Sequence, residues 1–290
     1  MAKGDAINSD LKNIQEDVFH HQMPTAILKA QSGISAIDEG IRALEKTGYM
    51  HNHVRMYVAS LAGNIAKAHW RVPAQWMYSK LLDGDWASNA ISWQWVVGSH
   101  SSKKYHANQK NINHFFESNQ SGTYLDVEYD QFPFQTPPDQ LKEHQALELT
   151  TPLPQAEESI QSANKEVALY TYYNLDPLWR QDQSMDRILI LEPSHFEKYP
   201  VNQKCIDFML DLSKNIEYIQ IFVGEFKELE TILPTCQFFY KEHPSNQHFK
   251  GIQDERDWMF PTKGYFPSFF KFWNKSLKQA THLDYQKTPH

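Results

Sequence analysis

The spacing of the apolar residues changes once along this chain of 290 residues, and that change limits the folds it can adopt. In the first part, apolar residues recur three or four positions apart, which is typical of amphipathic helices. Four stretches show the pattern: Ser32–Leu44, Asn52–Ala68, Ala74–Leu82 and a segment that Asp85 can cap and that runs to about Val97. Residues 1–116 are therefore predicted to be all-helical.

A polar stretch rich in Gln, Glu and Pro follows, and beyond it the pattern becomes that of short strands. Four segments are predicted as strands: Val167–Tyr172, Arg187–Leu191, Tyr218–Val223 and Gln237–Tyr240. Helical patterns at Lys204–Lys214 and Phe226–Ile232 lie between the later ones, as in a parallel sheet with crossover helices. The sequence therefore predicts a mostly α fold, in which a helical domain is followed by a small α/β unit with a parallel sheet.

These patterns divide the chain into four parts. We predict a polar lead-in with one short helix at 1–31, the helical region at 32–133, a linker at 134–165, and the α/β region at 166–290. The last part ends in an aromatic-rich helical tail. Its dense apolar spacing favours a helix that packs onto a core, and an interface that completes a binding site is the alternative.

Composition narrows the classes of function. The net charge is −7, but residues 37–116 carry +4, which favours one basic face on an otherwise acidic chain. The two cysteines, Cys205 and Cys236, exclude a disulfide framework and an iron–sulfur cluster held by four thiolates. No apolar leader and no run of membrane-spanning length is present, which favours a cytoplasmic protein without a membrane partner.

Polar residues of two predicted helices fall on faces that can meet. Asn52, Arg55 and Met56 share one helix face, and Asp85, Asn89 and Trp93 share a face of a later helix. Asp83 lies just before that second helix, within reach of Arg55. Each feature has an ordinary explanation as a helix cap, a surface ion pair or a packed aromatic residue. Their combination predicts a polar cleft with an indole in its wall.

The motifs resemble the helical FAD-binding domain of the DNA photolyase and cryptochrome family. The chain reads TGYMHNHVRM at 47–56, HWR at 69–71, DGDWASN at 83–89 and WQW at 93–95, and Trp70 precedes Asp83 by 13 residues, as in the family. Several motifs at kept intervals make the resemblance specific. It implies a photolyase-type fold for 32–133 and FAD as the cofactor.

The resemblance also implies roles for individual residues. Asn89 is similar to the residue that faces flavin N5, and Asp83 and Asp85 to the pair that holds the ribityl and isoalloxazine region, with Arg55 bound to Asp83. Asn52 and Met56 are similar to the residues that line the cleft between flavin and a flipped-out lesion, and Trp95 is similar to the aromatic wall on which the lesion stacks. Trp93 and Trp70 are similar to the proximal and middle members of the electron-transfer chain. The implied reaction is light-driven repair of pyrimidine dimers in UV-damaged DNA by a deoxyribodipyrimidine photolyase-type lyase.

Some family features have no counterpart in the sequence. The family places an antenna domain and a phosphate-binding loop before this region, and no such loop and no distal Trp precede Ser32. We therefore expect a flavin site that is incomplete in this chain, unless a second subunit, a second copy or the C-terminal half closes it. Trp76 and Trp86 are candidate distal residues, although ordinary packing explains both. The antenna chromophore stays unassigned.

Two functions remain open on the sequence. The first is a short FAD-binding photolyase-like flavoprotein that acts on damaged DNA, with Lys103 and Lys104 as candidate phosphate contacts. The second is a non-enzymatic relative that does not hold FAD alone and serves as a binding, regulatory or photoreceptor subunit. His51 and His53 suit a proton donor, but they do not decide between a cyclobutane dimer and a (6-4) product.

Overall fold

The computed structural model describes residues 7–101, 103–155, 160–264, 266 and 268–280. The first six residues of the predicted lead-in, residues 156–159 of the predicted linker, and Tyr265, Pro267 and 281–290 of the predicted tail region lie outside them. The N-terminal helices are α1 (Thr25–Leu28), α2 (Ser35–Thr47), α3 (Asn52–Ser60), α4 (Arg71–Tyr78), α5 (Trp86–Val97) and α6 (Gln109–Phe116).

The ends of these helices follow from local sequence. Helix α2 buries its stripe of isoleucines and stops at Gly48, whose φ of +73° is a left-handed conformation that glycine adopts without steric cost. Asp85 caps α5, because its side chain accepts a hydrogen bond from the backbone amide of Ser88 at 2.7 Å. The cap at Asp85 confirms the sequence prediction.

Helix α3 continues into a single π-helical turn, Leu61–Ile65, which the periodicity does not predict. Within that turn the buried amide of Asn64 donates to the backbone oxygens of Val96 and Tyr105, at 3.1 and 2.7 Å. Turns of this kind are rare, occur mostly as single turns within α-helices and are frequent at functional sites. Asn64 thereby ties the end of α3 to the end of α5.

The α/β region contains a five-stranded parallel sheet. Its strands are β3 (Glu166–Tyr170), β4 (Asp186–Leu191), β5 (Ile219–Val223), β6 (Gln237–Lys241) and β7 (Ile252–Asp254), in the order β5-β4-β3-β6-β7. Helices α7 (Pro193–Lys198), α8 (Gln203–Ser213) and α9 (Phe226–Ile232) connect the strands. The mostly α fold with a small parallel α/β unit is thus confirmed, and the sequence analysis missed β7 and α7.

The predicted lead-in and linker pack against the rest of the chain. A two-residue strand β1 (Met23–Pro24) pairs with β2 (His144–Gln145) in antiparallel register. Met23 and Leu141 are fully buried, and Ile7 is 3% exposed. These segments therefore cover one side of the helical core and are part of the folded domain.

The helical region and the sheet share one hydrophobic core. A single cluster of buried residues runs from Ile7 through the helices to Phe239 of β6, and a smaller cluster covers the other face of the sheet. Three residues at the start of α8 bind the helical part directly. The amide of Asn202 donates to Ser79 O at 2.8 Å, Lys204 donates to Glu45 O and Lys46 O, and the Cys205 thiol lies 3.6 Å from Ser79 O.

Helix α10 (Phe269–Ala280) forms the described end of the tail. Phe269 and Phe270 are 65% and 72% exposed, while Ser276 is buried and donates to Thr262 Oγ1 at 3.1 Å. The tail thus contacts its own preceding segment, with two large aromatic rings left outside. Among the helices of the described ranges, none has the length and apolar character needed to cross a membrane.

Candidate functional site

A cleft of about 190 Å³ lies where α3 faces α5. The lining residues of α3 are spaced by three and four positions: Asn52, Arg55, Met56 and Ala59. Those contributed by α5 and the loop before it are Leu81, Asp83, Gly84, Asp85, Ser88, Asn89, Ser92, Trp93 and Val96. The structure therefore brings together seven of the nine predicted site residues, and Trp70 and Trp95 are the other two.

An ion pair fixes the loop beside the cleft. Arg55 Nη2 lies 2.9 Å from each carboxylate oxygen of Asp83, and Arg55 Nε donates to Met50 O at 2.7 Å. The two side chains are 23% and 55% exposed, so the pair contributes about 0–1 kcal/mol to folding. Its rigid fork geometry matters more than its energy, because it holds Asp83 in one orientation.

Asp85 and Asn89 in the α5 wall are held by separate contacts. The carboxylate of Asp85 accepts from Ser88 N through one oxygen, which leaves the second oxygen for other partners. The amide of Asn89 donates from Nδ2 to the backbone oxygen of Ala74 at 2.9 Å. Since a carbonyl oxygen only accepts, this contact fixes the amide and leaves Oδ1 as its acceptor.

Close backbone packing shapes the loop between α4 and α5. A Cβ atom on Gly84 would lie 2.9 Å from Leu81 O, which is closer than real Cβ contacts. The backbone amide of Leu82 donates to Gly48 O at 2.9 Å and so ties this loop to the end of α2. Asp83 is therefore positioned by two glycines as well as by Arg55.

The three tryptophans of the predicted set occupy different environments. Trp93 is buried in the wall of the cleft. Trp70 is fully buried outside the cleft, donates from Nε1 to Asp10 Oδ1 at 2.7 Å, and stacks on Trp86 with ring centroids 6.4 Å apart. Trp95 is 45% exposed and lies 5.6 Å from the ring of Tyr105.

Other candidates from the sequence do not reach the cleft. His51 caps α3, accepting from His53 N through Nδ1 at 3.3 Å, and neither imidazole lines the cleft. Lys104 forms an ion pair with Asp17 at 2.7 Å, so its charge is partly neutralised. Within the described ranges, no group of three or more His, Cys, Asp or Glu is placed to hold a metal ion.

Sequence reasoning missed several lining residues, among them Ala59, Ser88, Ser92 and Val96. A signal for them was present. The α5 positions that line the cleft continue the same three- and four-residue spacing that joins Asp85, Asn89 and Trp93. A spacing of three residues from Asp85, Asn89 and Trp93 gives Ser88, Ser92 and Val96, and the same spacing from Met56 gives Ala59.

Comparisons with known proteins find relatives for the N-terminal part of the chain. Residues 2–129 match the family model of the FAD-binding domain of DNA photolyase. Over 71 residues the chain is 44% identical to the deoxyribodipyrimidine photo-lyase of Agrobacterium fabrum, covering 24% of this chain and 15% of that protein. It is 40% identical over 75 residues to the Synechococcus enzyme of the same name, with 26% and 16% covered.

Cryptochrome-1 of Arabidopsis thaliana is 31% identical over 71 residues, which cover 24% of this chain and 10% of that protein. The chain therefore spans about one sixth or less of the length of these curated relatives. No solved structure matches it. The N-terminal region of the chain is thus similar to the FAD-binding domain of photolyases and cryptochromes.

Proposed function

We propose that this protein is a photolyase- or cryptochrome-like flavoprotein that holds the isoalloxazine ring of FAD in the cleft between α3 and α5. One observation carries the proposal: Asn52, Arg55 and Met56 on one helix face Asp83, Asp85, Asn89 and Trp93 on the other wall. The family whose model residues 2–129 match supports the choice of cofactor.

The chemistry of the lining residues fits a flavin. An isoalloxazine has flat apolar faces and a polar edge of ring nitrogens and carbonyl oxygens, so it requires apolar contacts and hydrogen-bonding groups in one cavity. Met56, Trp93 and Val96 provide apolar surface, and the Asp83–Arg55 pair, Asp85 and Asn89 provide the polar groups. When bound, FAD would supply light absorption and one-electron donation.

The residues of the chain orient the ring and control its hydrogen bonds. Asn89 is anchored on Ala74 O, so its Oδ1 can accept a hydrogen bond from a protonated ring nitrogen without reorganising. Asp83, oriented by Arg55, and the second oxygen of Asp85 are further acceptors for the ring edge and the ribityl hydroxyls. Trp93 in the cleft wall is the candidate proximal electron donor, and buried Trp70 the next one.

As the activity we propose light-driven repair of pyrimidine dimers in DNA, carried out in the cytoplasm. The photo-lyase names of several relatives support this class of reaction. The exposed indole of Trp95 offers a stacking surface for an extruded base. Asn52 and Met56 would then lie between the flavin and the lesion.

A second candidate is a photolyase-like binding, regulatory or photoreceptor subunit without repair activity. The size of the cleft favours it. Small-molecule sites enclose about 300–1,000 Å³, whereas this cleft has about 190 Å³ and cannot enclose a whole FAD by itself. Under this alternative the cleft keeps its residues but retains no cofactor in the isolated chain.

An absorption spectrum of the purified full chain tests the proposal. We expect flavin bands after incubation with FAD and gel filtration, and their loss in Asn89→Leu, which removes the anchored amide. Ser162→Ala, in the α/β region and outside the cleft, is the control and keeps the bands. A wild-type chain that retains no flavin contradicts the proposal. If flavin is retained, light-dependent loss of thymine dimers from irradiated DNA decides between repair and the second candidate.

A further inference from the structure

A second, larger cavity of about 720 Å³ lies at the carboxyl ends of the sheet strands. Residues that follow β3, β4 and β6 line it, namely Tyr173, Glu192 and His243, together with His195, Lys198 and Arg256. The strand order reverses between β3 and β6, because the chain runs outward to β5 on one side and to β7 on the other. Open parallel sheets bind ligands at this switch point, outside the carboxyl ends of the strands.

The side chains of this cavity suit a nucleotide. The rings of Tyr173 and His243 stack with centroids 4.4 Å apart, and Tyr173 shares a 2.7 Å hydrogen bond with the hydroxyl of Tyr78. Burial lowers the pKa of His195 to about 4, so its imidazole is neutral near pH 7. Its buried Nε2 has no hydrogen-bond partner among the described residues, which is costly for a polar group unless a ligand or water satisfies it.

The charged groups of the cavity are of both signs. Lys198 and Arg256 are its cations, and the Arg256 guanidinium also lies 3.5 Å from Glu242. Glu192 follows β4 directly, and one of its oxygens accepts from Phe226 N and contacts His248 Nε2. An acidic residue after the second strand of such a sheet is the usual partner of a ribose hydroxyl. No glycine-rich turn follows β3, so side chains must bind the phosphates.

Consecutive residues at the start of α5 join this cavity to the flavin cleft. Asp85 lines both, Trp86 and Ala87 line the larger cavity, and Ser88 and Asn89 line the cleft. The two spaces therefore meet at one residue. The larger volume falls within the range of about 300–1,000 Å³ for small-molecule sites, which the cleft alone does not reach.

We infer that the cavity at the switch point binds the ADP half of FAD, so that the α/β unit completes the flavin site. The inference rests on the proposed function. Lys198 and Arg256 face the pyrophosphate, Glu192 faces the ribose, and the aromatic and imidazole rings contact the adenine. A free adenine nucleotide would offer the same chemistry, and the experiment distinguishes the two sources.

The test compares riboflavin, ADP and FAD as probes of the full chain by calorimetric titration. We expect FAD to bind at least about tenfold more tightly than riboflavin, and ADP to be displaced by FAD. The double variant Lys198→Ala/Arg256→Ala should lose the additional affinity for FAD, about tenfold, relative to riboflavin. Its affinity for riboflavin should be unchanged. Lys227→Ala/Lys271→Ala removes two exposed cations elsewhere and is the matched control, which binds FAD as the wild type does.

Unchanged FAD affinity in the Lys198/Arg256 variant overturns the inference and leaves the proposed function intact. ADP binding that FAD does not displace assigns the cavity to a free nucleotide and overturns the link to the flavin. FAD binding that requires two copies of the chain also overturns it, because a second subunit then completes the site. Absence of binding by riboflavin and FAD contradicts the proposed function, and the ADP titration then tests the cavity by itself.

Discussion

The guanidinium of Arg55 contacts both carboxylate oxygens of Asp83 and the backbone of Met50, beside the cleft between α3 and α5. Because Asp83 is more than half exposed, we expect Arg55→Ala to lower the free energy of unfolding by only about 1 kcal/mol. FAD affinity should fall by at least about tenfold, since Asp83 loses its fixed orientation. Urea unfolding and FAD titration of the same variant measure the two effects.

A similar ion pair far from the cleft provides the control. Lys250 Nζ lies 2.9 Å from both carboxylate oxygens of Glu230 on the surface of the α/β unit. Lys250→Ala should cost a comparable amount of stability and leave FAD binding unchanged. Equal losses of FAD affinity in the two variants would show that the Arg55 effect is not local to the cleft.

Single histidines also determine how stability depends on pH. Burial lowers the pKa of His106, His195 and His243 to about 4 in the folded chain, whereas an exposed imidazole titrates near 6.5. Between these values the unfolded chain binds more protons, so stability is full above about pH 6.5 and falls as the pH drops toward about 4. Carboxylates with a lowered pKa, such as Asp254, lose their contribution only at lower pH.

The measurement is urea unfolding at about pH 7, 5.5 and 4.5. We expect His243→Gln to flatten the loss of stability across this window, since the glutamine side chain does not titrate. The exposed His114→Gln is the matched control and should keep the wild-type slope. A slope that is equally steep in His243→Gln and in the wild type would contradict the assignment of this window to the buried histidines.

At the scale of elements, alanine substitutions of two glycines distinguish the cost of backbone strain from the cost of a steric clash. Gly33 and Gly48 both have a positive φ, of +83° and +73°. A Cβ on Gly33 would meet nothing within 4 Å, while one on Gly48 would lie 2.5 Å from Leu82 Cγ. We expect Gly33→Ala to cost about 1 kcal/mol of unfolding free energy. Gly48→Ala should cost about 1–3 kcal/mol more, because Leu82 must move.

Gly48→Ala should also weaken FAD binding, since Leu82 immediately precedes Asp83 in the cleft. Urea unfolding and FAD titration of the two alanine variants test both effects. Gly33→Ala is expected to bind FAD normally. Matching losses of stability in the two variants would mean that Leu82 adapts at no cost, and the contact would then not position the loop.

The extent to which elements could be predicted depended on how local their signal was. The facing residues of α3 and α5 were found, because three- and four-residue spacing within one helix records its buried face. The burial of Ile7 and Met23 was not predicted, since isolated apolar residues show no helical or strand periodicity. Strand β7 was missed because its three residues are mostly exposed and carry little apolar pattern.

The cavity at the switch point lay beyond sequence reasoning for a different reason. Its lining residues range from Asp85 to Arg256, and only the sheet order brings them together. No local pattern encodes that order, because β3 pairs with β6 across a long stretch of sequence. The pairing depends on the packing of the whole α/β unit. Of the nine site residues predicted from the family motifs, only Asp85 lines this cavity.

At the scale of the whole molecule, the shared core predicts cooperative unfolding. The main hydrophobic cluster includes Met209 of α8 as well as Trp93 of α5. We expect one urea transition, with tryptophan fluorescence and far-UV circular dichroism coinciding. Met209→Ala removes a side chain that is 2% exposed and should shift both probes together by about 2–5 kcal/mol.

The exposed Leu212→Ala, one turn further along α8 and 38% exposed, is the control and should change stability far less. Two separated transitions, with the fluorescence of the helical region unaffected by Met209→Ala, would contradict the single core. In that case the α/β unit could not hold part of a cofactor whose other half lies between α3 and α5.

Asp85 stands where the start of α5 meets both cavities, and its position has an evolutionary consequence. Capping the helix requires only a side-chain oxygen, which asparagine also supplies, whereas the flavin proposed for the cleft would meet the negative charge. A single nucleotide change converts an aspartate codon to an asparagine codon. If the cleft binds FAD as proposed, a lineage of this chain can give up the cofactor in one step while keeping its fold, and the scaffold is then open to selection for other functions.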